Sequence, residues 1–280
     1  MSNFQTYRNF CFGTSQLLTR SYSTSFSLGI RFLKNDYKEA INSIYGFVRI
    51  ADEIVDTFSE CDKKAILQKF KEDTYLAVTC NMSTNPVLQS FQETVNKYGI
   101  DLLLVEAFFE SMEMDLLKKE YTRQELDRYI YGSAEVVGLM CLYVFVEGKV
   151  EAYKELEKPA RALGSAFQKI NFLRDIKSDF EERGRIYFPG VRMDAFTDAM
   201  KDQIQDEIIE ELKISEEGIR NLPASVRFGV YLAQQYFRAL LQTIQKARAS
   251  EVLLRRFRVS NGHKILMLVK YGIKYKLGFL

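Results

Sequence analysis

The stretch IYGFVRIADEIVDT, Ile44 to Thr57, sets Arg49, Asp52, Glu53 and Asp56 inside a run of apolar residues. Read as a helix, it places Asp52 and Asp56 one turn apart on one side, with Arg49 three residues ahead of the first. Ile50, Ile54 and Val55 point elsewhere. Alone, such a D-x-x-x-D pair fits a solvated helix surface with an Arg49–Asp52 ion pair. A second stretch, FQKINFLRDIKSDFEERGR, Phe167 to Arg185, changes that reading. At ~100° per residue, Gln168, Asn171, Asp175 and Asp179 share an arc of about 80°. Leu163, Ile170 and Leu173 lie off the arc, and Arg174 stands beside it. A solvent stripe would carry Lys and Glu. This one carries short side chains between small and apolar flanks, so it points into a cavity.

Working outward, helical patterning dominates. Apolar residues recur at intervals of three and four from Tyr37 to Phe58 and again from Lys63. Asn85 reads as a cap before Pro86, with Gly99 as the stop. Further helices are expected in DLLLVEAFFESMEMDLLKK, in TRQELDRYIYGSAEVVGLMCLYVFVEG, and from Ala160 to the turn RGRIYFPG. An acidic segment, Asp194 to Gly218, precedes two C-terminal helices. Only four prolines interrupt the 280 residues, and no strand alternation, fixed repeat or linker is visible. The expectation is one all-α domain over residues 1–280, a helical bundle around a central apolar cavity.

Composition excludes several classes. Hydrophobic residues make up 47% and charged residues 27%, ordinary for a soluble globular chain. A net charge of +2 gives no case for nucleic acid. Cys11, Cys61, Cys80 and Cys141 form no C-x-x-C pair, so neither zinc nor a disulfide framework is expected, and a reducing cytoplasm fits. The single histidine, His263, argues against His-rich metal sites and a Ser-His-Asp triad. MSNFQTYRNFCFGTSQ shows no secretory h-region, and the apolar run Val136 to Val146 falls short of the ~20 residues that span a bilayer. Nothing in the sequence sets the oligomeric state.

Two acid-bearing helices facing each other converge four or five carboxylates, which repel unless neutralised. Hard oxygen ligands on short stems suit Mg²⁺, which bridges readily to substrate phosphates. With arginines alongside and an apolar interior, the expected ligand is a phosphorylated apolar molecule, an isoprenoid diphosphate foremost.

These residues resemble the squalene/phytoene synthase family of head-to-head prenyl transferases along nearly the whole chain. SYSTSF (Ser21 to Phe26), YGFVRIADEIVD, MEMDL (Met112 to Leu116), YIYGSAEVVGLM (Tyr129 to Met140) and LGSAFQKINFLRDIKSDFEERGRIYFP (Leu163 to Pro189) follow one another at family spacing. The resemblance implies an isoprenoid-synthase bundle in which Asp52, Asp56, Asp175 and Asp179, with Glu53 and Asn171, hold Mg²⁺ or Mn²⁺. It implies that Arg49, Tyr45, Ser23, Ser25 and Phe26 line the diphosphate and flap region. Gln168 and Arg174 complete the second site, Arg183, Arg185 and Tyr187 close the loop over it, and Tyr129 faces substrate. Gly138, Leu163 and Gly164 leave room for prenyl chains. The implied reaction is condensation of two geranylgeranyl diphosphates to phytoene through a cyclopropyl diphosphate, with proton loss in place of NADPH. Squalene or dehydrosqualene synthesis from farnesyl diphosphate is the alternative, and a non-catalytic assembly factor is the rival from another class. Thr24 stands where the family often has Lys or Arg, Lys177 and Ser178 where Gly and Glu are common, and Glu135 where Gly is common.

Three lesser features remain. Phe108, Phe109, Met112 and Leu116 read as core, and the acidic segment as a solvated face. From Val252 to Leu280 there is no acid, and Arg255, Arg256, Arg258, Lys264, Lys270, Lys274 and Lys276 alternate with apolar residues such as Leu266 and Phe279. That reads first as a helix packed on the bundle with its basic side in water. The second reading is peripheral contact with anionic lipid at the inner face of a membrane.

Overall fold

Few breakers and sustained three-four periodicity translate into helices throughout. The computed structural model describes residues 2–277, without the side chains of Ser25 and Lys276. The roles expected of Ser25, Lys276 and Phe279 therefore lie outside the described residues. The helices are α1 (Asn3–Tyr22), α2 (Thr24–Ile30), α3 (Asn35–Asp56), α4 (Lys63–Cys80), α5 (Pro86–Tyr98), α6 (Leu102–Leu117) and α7 (Arg123–Ile130). A π-helical turn, Tyr131–Glu135, leads into α8 (Val136–Phe145). Then come α9 (Val150–Arg183), α10 (Asp198–Asn221), α11 (Ala224–Gln245), α12 (Ala249–Val252) and α13 (Asn261–Lys276). The all-α expectation holds: among the described residues there is no sheet, and one isolated parallel bridge joins Glu120 to Ile186.

Local signals place several ends as read. The Asn85 side chain accepts from the Val87 and Leu88 amides, Pro86 opens α5, and Gly99 closes it in the left-handed region at φ 65°. The segment read as one helix from Thr122 to Gly148 is instead α7, the π turn and α8, because the backbone rewinds at Tyr131.

Aromatic packing fixes α3. Phe47 is fully buried, stacks on Phe91 at 3.9 Å and meets Phe108 and Phe109 at 5.3 and 5.6 Å. The core reading of Phe108, Phe109 and Met112 is thereby met. Burying rings of this size contributes roughly 2 kcal/mol or more each. The long helix α9 is anchored between two layers. Its Ile170, Leu173 and Ile176 pack with Ile208 and Leu241, while Leu156 joins the core around Phe47.

The acidic segment is more than a solvated face. Lys169 of α9 is buried, and its ammonium is held by Glu207 at 3.2 Å and Glu211 at 2.7 Å, both from α10. A buried lysine needs such partners, which accounts for part of the acid on α10. The four cysteines are free. No described helix is long and apolar enough to cross a membrane.

Candidate active site

The carboxyl ends of α3 and α9 meet at one end of a cavity of about 580 Å³. Arg49, Asp52 and Asp56 line it from α3; Gln168, Asn171, Arg174, Asp175, Asp179 and Arg183 line it from α9. The two acidic patches are within reach of a single side chain. Arg183 lies 3.3 Å from Asp56 and 3.0 Å from Asp179. Deeper, the walls turn aliphatic and aromatic, with Ile41, Val137, Leu142, Phe145, Ile219 and Leu222 among them. Charge gathers at one end and apolar surface at the other.

Each pair of aspartates is held differently. Asp56 accepts from Arg185 Nη1 at 2.8 Å. Arg185, 7% exposed, also donates to the Asp115 carbonyl at 3.0 Å, and its Nη1 lies 3.7 Å from the Asp115 carboxylate. That carboxylate accepts from Tyr121 at 3.1 Å, Tyr129 at 2.7 Å and Tyr187 at 3.3 Å. Burial raises the Asp115 carboxyl to about 6 against the pull of Arg185. Burial, with Asp115 nearby, raises the Tyr121, Tyr129 and Tyr187 phenols, so they stay protonated donors. Asp175, by contrast, pairs with its neighbour Arg174 and with Arg256 at 2.7 Å, a half-exposed residue of the loop between α12 and α13.

At the mouth, four aspartates face four arginines, Arg49, Arg174, Arg183 and Arg256. Burial raises Asp52 to about 7, with Asp56 and Asp115 adding to it and Arg49 opposing. Burial and the neighbouring Asp175 raise Asp179 to about 7. Asn171 Oδ1 is buried with no hydrogen-bond partner. Two carboxylates from α3, two from α9 and an unpaired amide oxygen around one mouth fit a divalent cation's preference for hard oxygen donors. Among the described residues, no three acidic, thiol or imidazole groups are already gathered into a cation cage. The expected convergence is thus a shared mouth with guanidinium groups set between the aspartates.

Other expected site residues fall in two groups. Ser23, Phe26, Tyr45, Gly138, Leu163 and Gly164 line the cavity; Phe26 stacks on Tyr45 at 5.3 Å. Gly138 and Gly164 serve close packing first. A Cβ on them would come within 3.1 Å of the Ala160 carbonyl oxygen and 2.7 Å of the Ala134 carbonyl oxygen, respectively. The π turn brings Ser133 to the wall, where Gln168 donates to its hydroxyl at 3.3 Å.

Glu53, Tyr129, Arg185 and Tyr187 do not line the cavity. Glu53 faces Arg49 and accepts its guanidinium, so it orients that arginine where a ligand role was expected. Arg185, Tyr187 and Tyr129 form the buried support behind Asp56 where a closing loop and substrate contacts were expected. Glu135 also turns from the cavity, to Arg161 at 2.6 Å. Sequence reasoning missed Asp115 and Arg256. An acid among Phe108, Phe109 and Met112 was the available signal for the first; a loop arginine gives none. At Thr24, where a basic residue is common in the family, the hydroxyl accepts from Lys264 of α13 at 2.9 Å.

The family profile described as squalene/phytoene synthase matches residues 19–263. The chain belongs to the squalene/phytoene synthase family. Two relatives are a phytoene synthase of Arthrospira platensis, 27% identical over 82% of each chain, and the 15-cis-phytoene synthase of a Synechocystis species. The latter is 28% identical over 90% of this chain and 81% of its own. The fold is similar to that of a dehydrosqualene synthase solved with ligand, with a TM-score of 0.84, 22% identity and 98% and 99% of the two chains covered. As a member of the squalene/phytoene synthase family the chain is a prenyl transferase of the head-to-head type. The charged mouth and greasy depth of the cavity match a diphosphate on an apolar tail.

Proposed function

We propose that this enzyme condenses two geranylgeranyl diphosphates to phytoene, releasing both diphosphates, by way of a cyclopropyl diphosphate. One observation carries the reading: a single cavity has its carboxylates and arginines at one end and aliphatic walls along the rest. The choice of the longer prenyl chain is supported by the two phytoene synthases named above, matched along most of this chain.

Asp52, Asp56, Asp175, Asp179 and Asn171 would hold Mg²⁺ or Mn²⁺. Bound there, divalent cations neutralise the diphosphate and improve it as a leaving group. Arg49, Arg174, Arg183 and Arg256 face the same volume and stabilise the departing charge. Glu53 and the ring of Tyr22, 4.2 Å from the Arg49 guanidinium, hold Arg49 in place. Tyr45, its phenol pushed up to about 12 by burial, stays neutral, and with Phe26 offers aromatic faces to an allylic cation. The apolar walls exclude the water that would quench that cation.

Farnesyl diphosphate as substrate has one observation in its favour, the fold likeness to a dehydrosqualene synthase. Incubating purified protein with each diphosphate and Mg²⁺, with and without NADPH, separates the two. Phytoene by mass from geranylgeranyl diphosphate without NADPH is the expected product. Turnover of farnesyl diphosphate alone would overturn the assignment.

A further inference from the structure

The helix α13 is apolar on two opposite sides. Its inner side is spent on the bundle. Met267 is buried with Leu232 and Tyr236 of α11, Tyr271 meets Tyr231 edge-on at 5.5 Å, and Tyr275 donates to the Ala224 carbonyl at 3.0 Å. At ~100° per residue, Ile265, Leu266, Val269, Ile273 and the C-cap residue Leu277 occupy an arc of about 120° on the other side. These five side chains are 54% to 66% exposed. A helix docked on one partner needs one apolar stripe; a second, left in water, marks a contact surface.

The charge around that stripe identifies the partner. Arg255, Arg258, His263, Lys270 and Lys274 are exposed on this terminal segment, and no acid occurs from Val252 to Leu280. The whole chain is close to neutral at +2, so the positive charge is local. Pairing with a second copy through this face would bring Lys270 and Lys274 against like charges with no acid on the helix to offset them. An anionic bilayer surface takes the aliphatic stripe into its headgroup boundary and neutralises the flanking lysines. We infer that the outer face of α13 is a docking surface for anionic lipid.

Position links this surface to the cavity. Two walls of the cavity are α2 and α11, and α13 lies along the outer side of α11 and reaches Thr24 of α2 through Lys264. Exposed Phe32, at the end of α2, packs on Phe228, which in turn meets Tyr275 of α13. Lipid on α13 would lie against the wall that encloses the prenyl chains. The surface is the same whichever prenyl diphosphate the cavity takes, and its binding is read without turnover.

Flotation of the full-length protein with vesicles tests it. The protein is expected to rise with vesicles of phosphatidylcholine mixed with phosphatidylglycerol, to remain below with phosphatidylcholine alone, and to be released by high salt. Leu266→Gln with Ile273→Gln, and separately Lys270→Glu with Lys274→Glu, should each lower vesicle binding by roughly ten-fold or more. All four positions are solvent-facing, so the melting temperature should not move. Wild-type protein that stays below with both vesicles overturns the inference. Variants that float as well as wild type do the same. Light scattering that shows a dimer, dispersed by Leu266→Gln with Ile273→Gln and indifferent to lipid, would assign the face to a second copy and overturn lipid docking.

Discussion

The two aspartate pairs share a cavity mouth but are supported in opposite ways. Asp56, besides meeting Arg183 at the mouth, is braced from behind, through Arg185, by a carboxylate that accepts from three tyrosines, that brace being buried. Asp175 is braced from in front, by Arg174 and by half-exposed Arg256 on a loop. A brace inside the protein persists when substrate enters. One at the mouth stands where a diphosphate would bind, and its arginine can exchange a carboxylate for a phosphate with little change in charge balance. One half of the site is therefore fixed and the other adjusts to its load.

The strongest way to break this comparison is to remove an aspartate from each half. Asp56→Ala and Asp175→Ala should both lower turnover of prenyl diphosphate by ~1,000-fold or more, measured as product formed at saturating Mg²⁺. Normal turnover by either variant would remove that residue from the site. The braces should then separate. Asp115→Asn leaves Arg185 short of a buried counter-charge and should cost about 2 kcal/mol of stability, seen as a lower melting temperature, with a fall in kcat. Arg256→Gln should cost less than about 1 kcal/mol, because that pair is partly in water, and should act mainly on KM for the diphosphate. Equal melting temperatures for the two variants would erase the distinction.

Acidity sharpens it further. Asp52 and Asp179, raised from 3.8 to about 7, keep in the folded state protons that the unfolded chain releases. Stability from these groups is present below about pH 4 and is lost as pH rises to about 7. In EDTA, scanning calorimetry should accordingly show a lower melting temperature at pH 7.5 than at pH 5. Divalent cation favours the ionised carboxylates, so the rise that Mg²⁺ produces should be larger at pH 7.5. An equal rise at both pH values would contradict the assignment of these acids. Two glycines test the packing of the wall and of α13. Gly164→Ala forces the wall off the Ala134 carbonyl and should cost about 1–3 kcal/mol. Gly262→Ala, with open space around it, should be neutral or stabilise α13 by up to about 1 kcal/mol.

Much of this arrangement was legible beforehand because helical periodicity is local. Spacing alone put Asp52 with Asp56 and Asp175 with Asp179, and the structure sets both pairs on one cavity. What spacing does not carry is the side from which a partner approaches. Arg185 and Tyr187 follow the second acidic motif in sequence, yet the chain turns back after Gly184 and buries them behind Asp56. Asp115 lay in a motif already noted, but its tyrosine partners come from beyond α6. Arg256 and Lys264 arrive from the far end of the chain, and no local pattern foretells where a loop returns. The π turn, too, was hidden, since YGSAE carries no proline and fits an ordinary helix equally well.

That π turn makes the chamber depend on how the backbone winds as much as on chemistry. A single extra residue accommodated in a helix is the simplest description of such a turn. Were the same residues wound as an ordinary helix from Arg123 to Phe145, every side chain downstream would swing by ~100°. Gly138 would leave the Ala160 carbonyl, and Val137, Cys141 and Leu142 would rotate out of the wall together. A change of winding here, with no acid or arginine touched, would reshape the space in which the two prenyl chains must meet.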